Sequence, residues 1–257
     1  MVRQISCLMH RSFNRYRYMR LAVRAEKKRF RLDDLRAEGY CSQSGQDKWI
    51  IEKLFPGKKN GVFVDVGAFD GITFSNTCLL EKMGWNGLAI EPLPSAYEML
   101  VVNRQCITVN GCVAPSSGRR LYRACTGELE MLSGLADEYD PRHMERISRE
   151  MGAHRGSYTD MDVDCYNLNE LLEDHGVRHV DYLSVDVEGL EYKILKSIDF
   201  KRISVSVIGI ENNFLNSNIP ALLVKKGFAF HSVVGDEFYL NRMVPKCVSS
   251  GAAEPLR

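Results

Sequence analysis

Among the 257 residues no apolar run approaches the roughly 20 positions that a bilayer-spanning helix requires, which argues for a soluble protein. Repeats and low-complexity tracts are also missing, so a solenoid or a largely disordered chain is not expected. The eight cysteines, Cys7, Cys41, Cys78, Cys106, Cys112, Cys125, Cys165 and Cys247, form no CxxC pair and follow no evident signal peptide. Reduced thiols in a cytoplasmic protein are the expectation, not a disulfide framework. A GxGxxG fingerprint is absent too, which removes the usual cradle for a dinucleotide pyrophosphate.

What is present is apolar content ample for a core, 45% of residues, and a charge asymmetry that the net +1 conceals. Residues 1–38 hold eleven Lys and Arg against four acidic residues, a net +7, leaving −6 on the remainder. Within this arm Ile5, Leu8, Met9, Phe13, Tyr16, Met19 and Val23 recur near helical spacing, with arginines filling much of the other face. Packing of this basic helix on its own domain or a second copy is the first reading. Peripheral contact with an anionic membrane and nucleic-acid binding are the alternatives. The expected division is a helical extension over 1–38, a domain over 39–245 and a tail over 246–257.

From residue 39 strand-like and helix-like stretches alternate. Gln46–Phe55, Ser75–Met83 and Ser95–Asn103 read as helices among strands at Val62–Val66, Gly87–Ile90 and Ile107–Val113. After a long polar interval, helices at Leu168–His175, Leu190–Ser197 and Pro220–Lys226 alternate with strands at Val180–Val185 and Val205–Ile210. Phe228–Val233 and Glu237–Asn241 can close a hairpin. This is the rhythm of an α/β doubly wound sheet, whose ligand-bearing turns share one edge.

The run GVFVDVGAFDG, residues 61–71, is a short apolar strand that ends in Asp65, Gly67, Asp70 and Gly71. Glycines in a strand-to-helix turn let the backbone approach a ligand, and DxGxxxG lacks the central glycine that clears a pyrophosphate. At the end of the second strand Glu91, in GLAIEP, can accept hydrogen bonds from both hydroxyls of a ribose. Adenosine with a tail that is not phosphate fits, and S-adenosylmethionine is such a molecule. Its sulfonium charge suits Asp65 or Asp70. Turns and helix caps without a ligand use the same residues, so the agreement of the two marks carries the reading.

Six blocks in order extend it: SQSGQD (Ser42–Asp47), GVFVDVGAFDG (Gly61–Gly71), SNT (Ser75–Thr77), GWNGLAIEP (Gly84–Pro92), VDYLSVDVEGLE (Val180–Glu191) and IEN (Ile210–Asn212). Over roughly residues 41–242 the chain resembles the FkbM-type methyltransferases, enzymes dependent on S-adenosylmethionine. The resemblance implies the class I methyltransferase (Rossmann-like) fold, with a seven-stranded, mostly parallel sheet and an antiparallel C-terminal hairpin. It implies that Asp65, Gly67, Asp70 and Gly71 hold the methionine part, that Glu91 holds the ribose, and that Gln43, Gln46 and Asp47 help cover the cofactor. It also implies methyl transfer to oxygen, commonly on a sugar or a secondary metabolite.

At the other end of the sheet Asp186 and Glu188 follow the fourth strand on alternate positions, and Glu211 with Asn212 ends the fifth. Three crowded carboxylates either raise a pKa until one takes a proton or gather a divalent metal such as magnesium. Either serves an alcohol, which must begin to lose its proton before it attacks a sulfonium methyl. Asp186 is the first choice of base, with Glu188 and Glu211 beside it; capping of the next helix by Glu188 is the bland alternative. His231 reads as a core histidine, and His143 and His154 fall in the interval Arg119–Asp160. That interval is too long for an ordinary loop and is expected as an insertion covering the site, with a helix at Pro141–Met151 carrying Arg142, His143, Arg146 and Arg149. The expected activity is O-methylation of a saccharide or small-molecule hydroxyl. Nucleic-acid methylation and a non-catalytic cofactor-binding scaffold are the rivals.

Overall fold

The computed structural model describes residues 31–139, 141–154 and 156–243. The arm's helical pattern over Ile5–Val23 and the tail over 246–257 lie outside the described residues. In chain order the strands are β1 (Val62–Val66), β2 (Asn86–Glu91), β3 (Ile107–Asn110), β4 (Cys112–Ala114), β5 (Gly118–Cys125), β6 (Gly134–Leu135), β7 (Tyr158–Asn167), β8 (His179–Val185), β9 (Ser204–Ile210), β10 (Phe228–Val234) and β11 (Asp236–Asn241). The helices are α1 (Leu32–Ala37), α2 (Gln46–Trp49), α3 (Cys78–Lys82), α4 (Pro94–Asn103), α5 (Pro141–His154), α6 (Leu168–Asp174), α7 (Glu191–Ser197) and α8 (Asn218–Lys225). A π-helical turn, Ile50–Leu54, continues α2.

The main sheet has the order β10-β11-β9-β8-β1-β2-β3. It is mixed: β9, β8, β1, β2 and β3 run parallel, while β11 is antiparallel to both β9 and β10. Its central strands are largely apolar because both faces are covered, with Asp65 in β1 and Asp181 and Ser184 in β8 as buried polar interruptions. Phe63, Tyr182, Val207 and Phe238 pack on one side with Trp85, Leu54 and Leu80, whereas Val64, Leu183 and Ile208 join the larger core on the other.

A second sheet corrects the expectation of one sheet with a covering insertion. Its order is β4-β7-β5-β6, and most of the interval Arg119–Asp160 belongs to it or to α5. The strand expected over Ile107–Val113 is two strands in different sheets. They part at Gly111, where a Cβ would stand 2.6 Å from the Tyr166 ring and 2.7 Å from the Asp164 carbonyl. In β5 and β7 exposed and buried positions mix, which leaves no apolar run to read. Helix α1 falls within residues 1–38 and buries Leu35.

Six cysteines among the described residues are free, and Cys112 faces Cys165 across the β4–β7 pair. No helix among the described residues is long and apolar enough to cross a membrane.

Candidate functional site

Parallel ladder bonds continue past the strand ends and fix the turns that follow. Gly67 and Ala68 N–H donate to the Ile90 carbonyl at 3.1 and 3.0 Å, Asp186 N–H to Val66 at 3.0 Å, and Glu211 N–H to Val185 at 3.1 Å. The ends of β1, β2, β8 and β9 are thereby held side by side, at the edge where open α/β sheets bind ligands. Gly67, at φ +88°, permits the closest approach: a Cβ there would lie 1.9 Å from the Asp186 carbonyl oxygen.

A cleft opens on this edge. Gln43, Gln46, Asp65, Gly67, Glu91, Asp186 and Glu188 line it, together with Asn76, Ser184 and Asp236. Its far wall comes from Tyr122 of β5, Arg146 of α5, and Met131 and Tyr139 on the segments between them. Glu211 lies in an adjoining hollow with Glu188, Asn212 and Arg142. Asp47, Asp70 and Gly71 are not among the lining residues. The Asp47 carboxylate accepts from Ser42 Oγ at 2.5 Å and from the Cys41 N–H at 2.6 Å, tying its own loop. Asp70 accepts from the N–H groups of Ile72 and Thr73 at 2.9 and 2.6 Å, closing the turn. Gly71 backs onto Arg104 and Leu100.

Glu91 is buried. Its Oε2 accepts from the Phe69 N–H at 2.9 Å and its Oε1 from the Leu93 N–H at 2.7 Å. Burial pushes its pKa up to about 7 against the pull of those two donors, and Asp65 and Asp70 add to the rise. Asp65, also raised by burial, accepts from Thr77 Oγ1 at 2.6 Å. Arg104 donates to the same hydroxyl at 3.1 Å and pairs with Glu81 at 2.6 Å. The Asn76 amide donates to Ser184 Oγ at 3.3 Å and to Asp236 Oδ2 at 3.0 Å, while its buried Oδ1 has no partner.

On the opposite side Asp186, Glu188 and Glu211 offer carboxylate oxygens that all lie within 4.8 Å of one another. Asp186 lines the cleft and is exposed to it. Desolvation there, then the charges of Glu211, Glu188 and Asp236, push its pKa well above the carboxylate range. Burial and Glu188 also raise Glu211. Glu188 sits in the left-handed region at φ +56° and does not cap α7, whose N-cap is Leu190 without a side-chain bond; Glu191 instead accepts from the Gly189 N–H at 2.9 Å and ties the preceding turn. Burial lifts Glu191 to about 7.

From α5, Arg146 approaches Glu188 at 3.4 Å, and His143, fully buried, brings Nδ1 to 3.2 Å from Glu188 Oε2. Burial lowers the His143 pKa, but Glu188 outweighs it and the net direction is up. Arg142 turns to the Phe214 carbonyl, and Arg149 pairs with Glu150. The side chain of His154 lies outside the described residues. His231, expected in the core, is exposed on β10, which among the described residues is the edge strand of the main sheet.

Sequence reasoning missed Asn76, Asp236 and Arg104. SNT was visible as a block without a role, and nothing local announces a contact between residues 76 and 236.

The methyltransferase FkbM domain model matches residues 65–233. A curated relative, methyltransferase sdnD of Sordaria araneosa, is 29% identical over 192 residues, covering 66% of this chain and 74% of its own. A solved FkbM methyltransferase from Methylobacillus flagellatus aligns at a TM-score of 0.45 and 10% identity, covering 78% of this chain and 48% of its own, so the chain spans about half its length. A TehB-like SAM-dependent methyltransferase from Corynebacterium glutamicum aligns at a TM-score of 0.37 and 12% identity, over 81% of this chain and 90% of its own. With the family match covering well over half of the sequence, the chain belongs to the FkbM methyltransferase domain family.

Proposed function

We propose that the chain transfers a methyl group from S-adenosylmethionine to a hydroxyl of a saccharide or other small-molecule acceptor. The carrying observation is one cleft that joins Glu91, at the end of β2, to Asp186 and Glu188, at the end of β8. The residues fit the cofactor. Each Glu91 oxygen holds a single backbone N–H and keeps a lone pair for a ribose hydroxyl. The unpartnered Oδ1 of Asn76, buried in the cleft wall, suits an α-ammonium group. When bound, the sulfonium supplies an electrophilic methyl group.

Asp186 acts as general base on this reading. A carboxyl group raised by desolvation and by Glu211 holds a proton more tightly than an exposed aspartate, so it is better matched to an alcohol. Tyr139 and Arg146 on the far wall orient the acceptor. The full chain would be incubated with methyl-labelled S-adenosylmethionine and a panel of saccharides and polyols, with S-adenosylhomocysteine release as the readout. Asp186→Asn should leave cofactor affinity near wild type and lower turnover roughly 100-fold. Equal turnover in the variant would refute the base assignment, and failure to bind S-adenosylhomocysteine would refute the whole reading.

A further inference from the structure

Two cysteines stand side by side at the cleft wall, and the proposed methyl transfer uses neither. Cys112 of β4 is the direct register partner of Cys165 of β7. Cys112, 8% exposed, lines the cleft with Gly111 and Val113, and Cys165 is buried beside it. On its other side Cys165 pairs with Gly118 of β5, which carries no side chain to compete for the sulfur. Neighbouring strands run ~4.7–4.9 Å apart, inside the ~4.4–6.8 Å between Cα atoms that a disulfide spans. The Cys112 thiol hydrogen-bonds to Cys165 and holds it below the ordinary thiol range, while Cys112 itself is raised. The two sulfurs share a proton, so the thiolate charge is available to either.

We propose that Cys112 and Cys165 are a reversible dithiol–disulfide pair, reached by a peroxide through the cleft and shielded when the cleft is occupied. The Cys112 thiolate attacks a peroxide oxygen. An S–O bond forms as the O–O bond breaks, and the departing hydroxide takes up the proton that the pair released and becomes water. The Cys165 sulfur then attacks the sulfenic sulfur, the S–S bond forms as the S–O bond breaks, and a second water leaves with the Cys165 proton. The thiols lose two electrons, and the peroxide gains them. A disulfide needs its Cβ atoms ~3.5–4.5 Å apart, closer than the strand spacing, so the link draws β4 toward β7. That pull acts beside Glu91, whose carbonyl accepts from the Gly111 N–H at 3.1 Å and the Asn110 amide at 3.0 Å. Cleft ligand and disulfide therefore oppose each other, each weakening the other by one factor. Shielding by S-adenosylhomocysteine rests on the methyl-transfer reading, whereas formation of the disulfide does not.

The test treats the reduced full chain with hydrogen peroxide and maps unreduced peptides by mass spectrometry. A Cys112–Cys165 link should appear and be reversed by dithiothreitol. No link between these two, or a link at Cys41 and Cys78 in its place, would overturn the pair, and the wild-type map decides this without any variant. In Cys165→Ser, with folding checked by thermal melts, dimedone should label Cys112; a folded variant left unlabelled would overturn entry at Cys112. S-adenosylhomocysteine at ten times its Kd should slow linking roughly 10-fold. The linked protein should bind it roughly 10-fold more weakly by calorimetry. Binding that neither slows linking nor weakens on oxidation would overturn the shielding. Absence of S-adenosylhomocysteine binding to the reduced chain counts against the methyl-transfer reading alone, because linking in the free protein does not depend on it.

Discussion

Glu91 offers a prediction whose sign and size follow from its surroundings. Burial raises its pKa from 4.5 to about 7 in the folded protein. The native state therefore keeps a proton that the unfolded chain releases above pH 4.5, and stability falls as pH rises through the window from 4.5 to 7. The displacement corresponds to about 3 kcal/mol once both states are ionised. In Glu91→Gln one oxygen still serves one of the two N–H donors at Phe69 and Leu93, and the other donor is left facing an NH₂ group. That orphan costs about 1–3 kcal/mol at any pH, but the variant has no charge to bury. Urea unfolding at pH 5 and pH 8 should find the variant less stable at pH 5, with the difference moving in its favour by about 2–3 kcal/mol at pH 8. Cofactor binding adds a second readout. Ribose hydroxyls donate to the anion, so wild-type affinity for S-adenosylhomocysteine should rise about tenfold between pH 6 and pH 8 and stay flat in the variant. A stability difference independent of pH would refute the burial argument, and parallel affinity profiles would remove Glu91 from the ribose site.

Two further outcomes are expected. In Gly67→Ala the new Cβ meets the Asp186 backbone at 1.9 Å, so urea unfolding should find a loss of about 2–4 kcal/mol. Stability within 0.5 kcal/mol of wild type, an ordinary surface-substitution effect, would mean that this approach relaxes freely. Deletion of residues 1–30 should leave the fold and S-adenosylhomocysteine affinity intact. Deletion through Glu38 also removes Leu35, 1% exposed, and should cost about 1.5–3 kcal/mol. Calorimetry and thermal melts on the two truncations separate these effects.

The parallel strands were legible because burial on two faces leaves a short, mostly apolar and β-branched run, as in VFVDV and SVSVIGI. Glu91 and Asp186 were legible because strand ends deliver their residues to one edge whatever the loops do. The second sheet was not. Its strands pair segments as far apart as Gly118 and Cys165, and stretches such as YTDMDVDCYN place few residues in the core. The partners of Asn76 and of His143 depend on contacts across 160 and 11 residues, which periodicity does not encode. Asp47 and Asp70 were equally good candidates by residue type. Only the geometry assigns them to local hydrogen bonds.

The placement of α5 bears on why the second sheet adjoins the acids. Three carboxylates within 4.8 Å repel one another, and the strand ends that carry them supply no countercharge. The partners come from the far wall: Arg146 and the imidazole of His143, whose pKa Glu188 raises, both reach Glu188 from α5. Glu188 meets them from a left-handed backbone that costs about 1–2 kcal/mol for a side chain of its kind, a strain sustained only where the surroundings over-determine it. Rotation of Glu188 out of that conformation would separate it from His143, so the wall and the acids constrain each other. On the methyl-transfer reading, an acceptor that pushes against Tyr139 or Arg146 would act on the same contacts that hold the carboxylates, coupling its recognition to its activation.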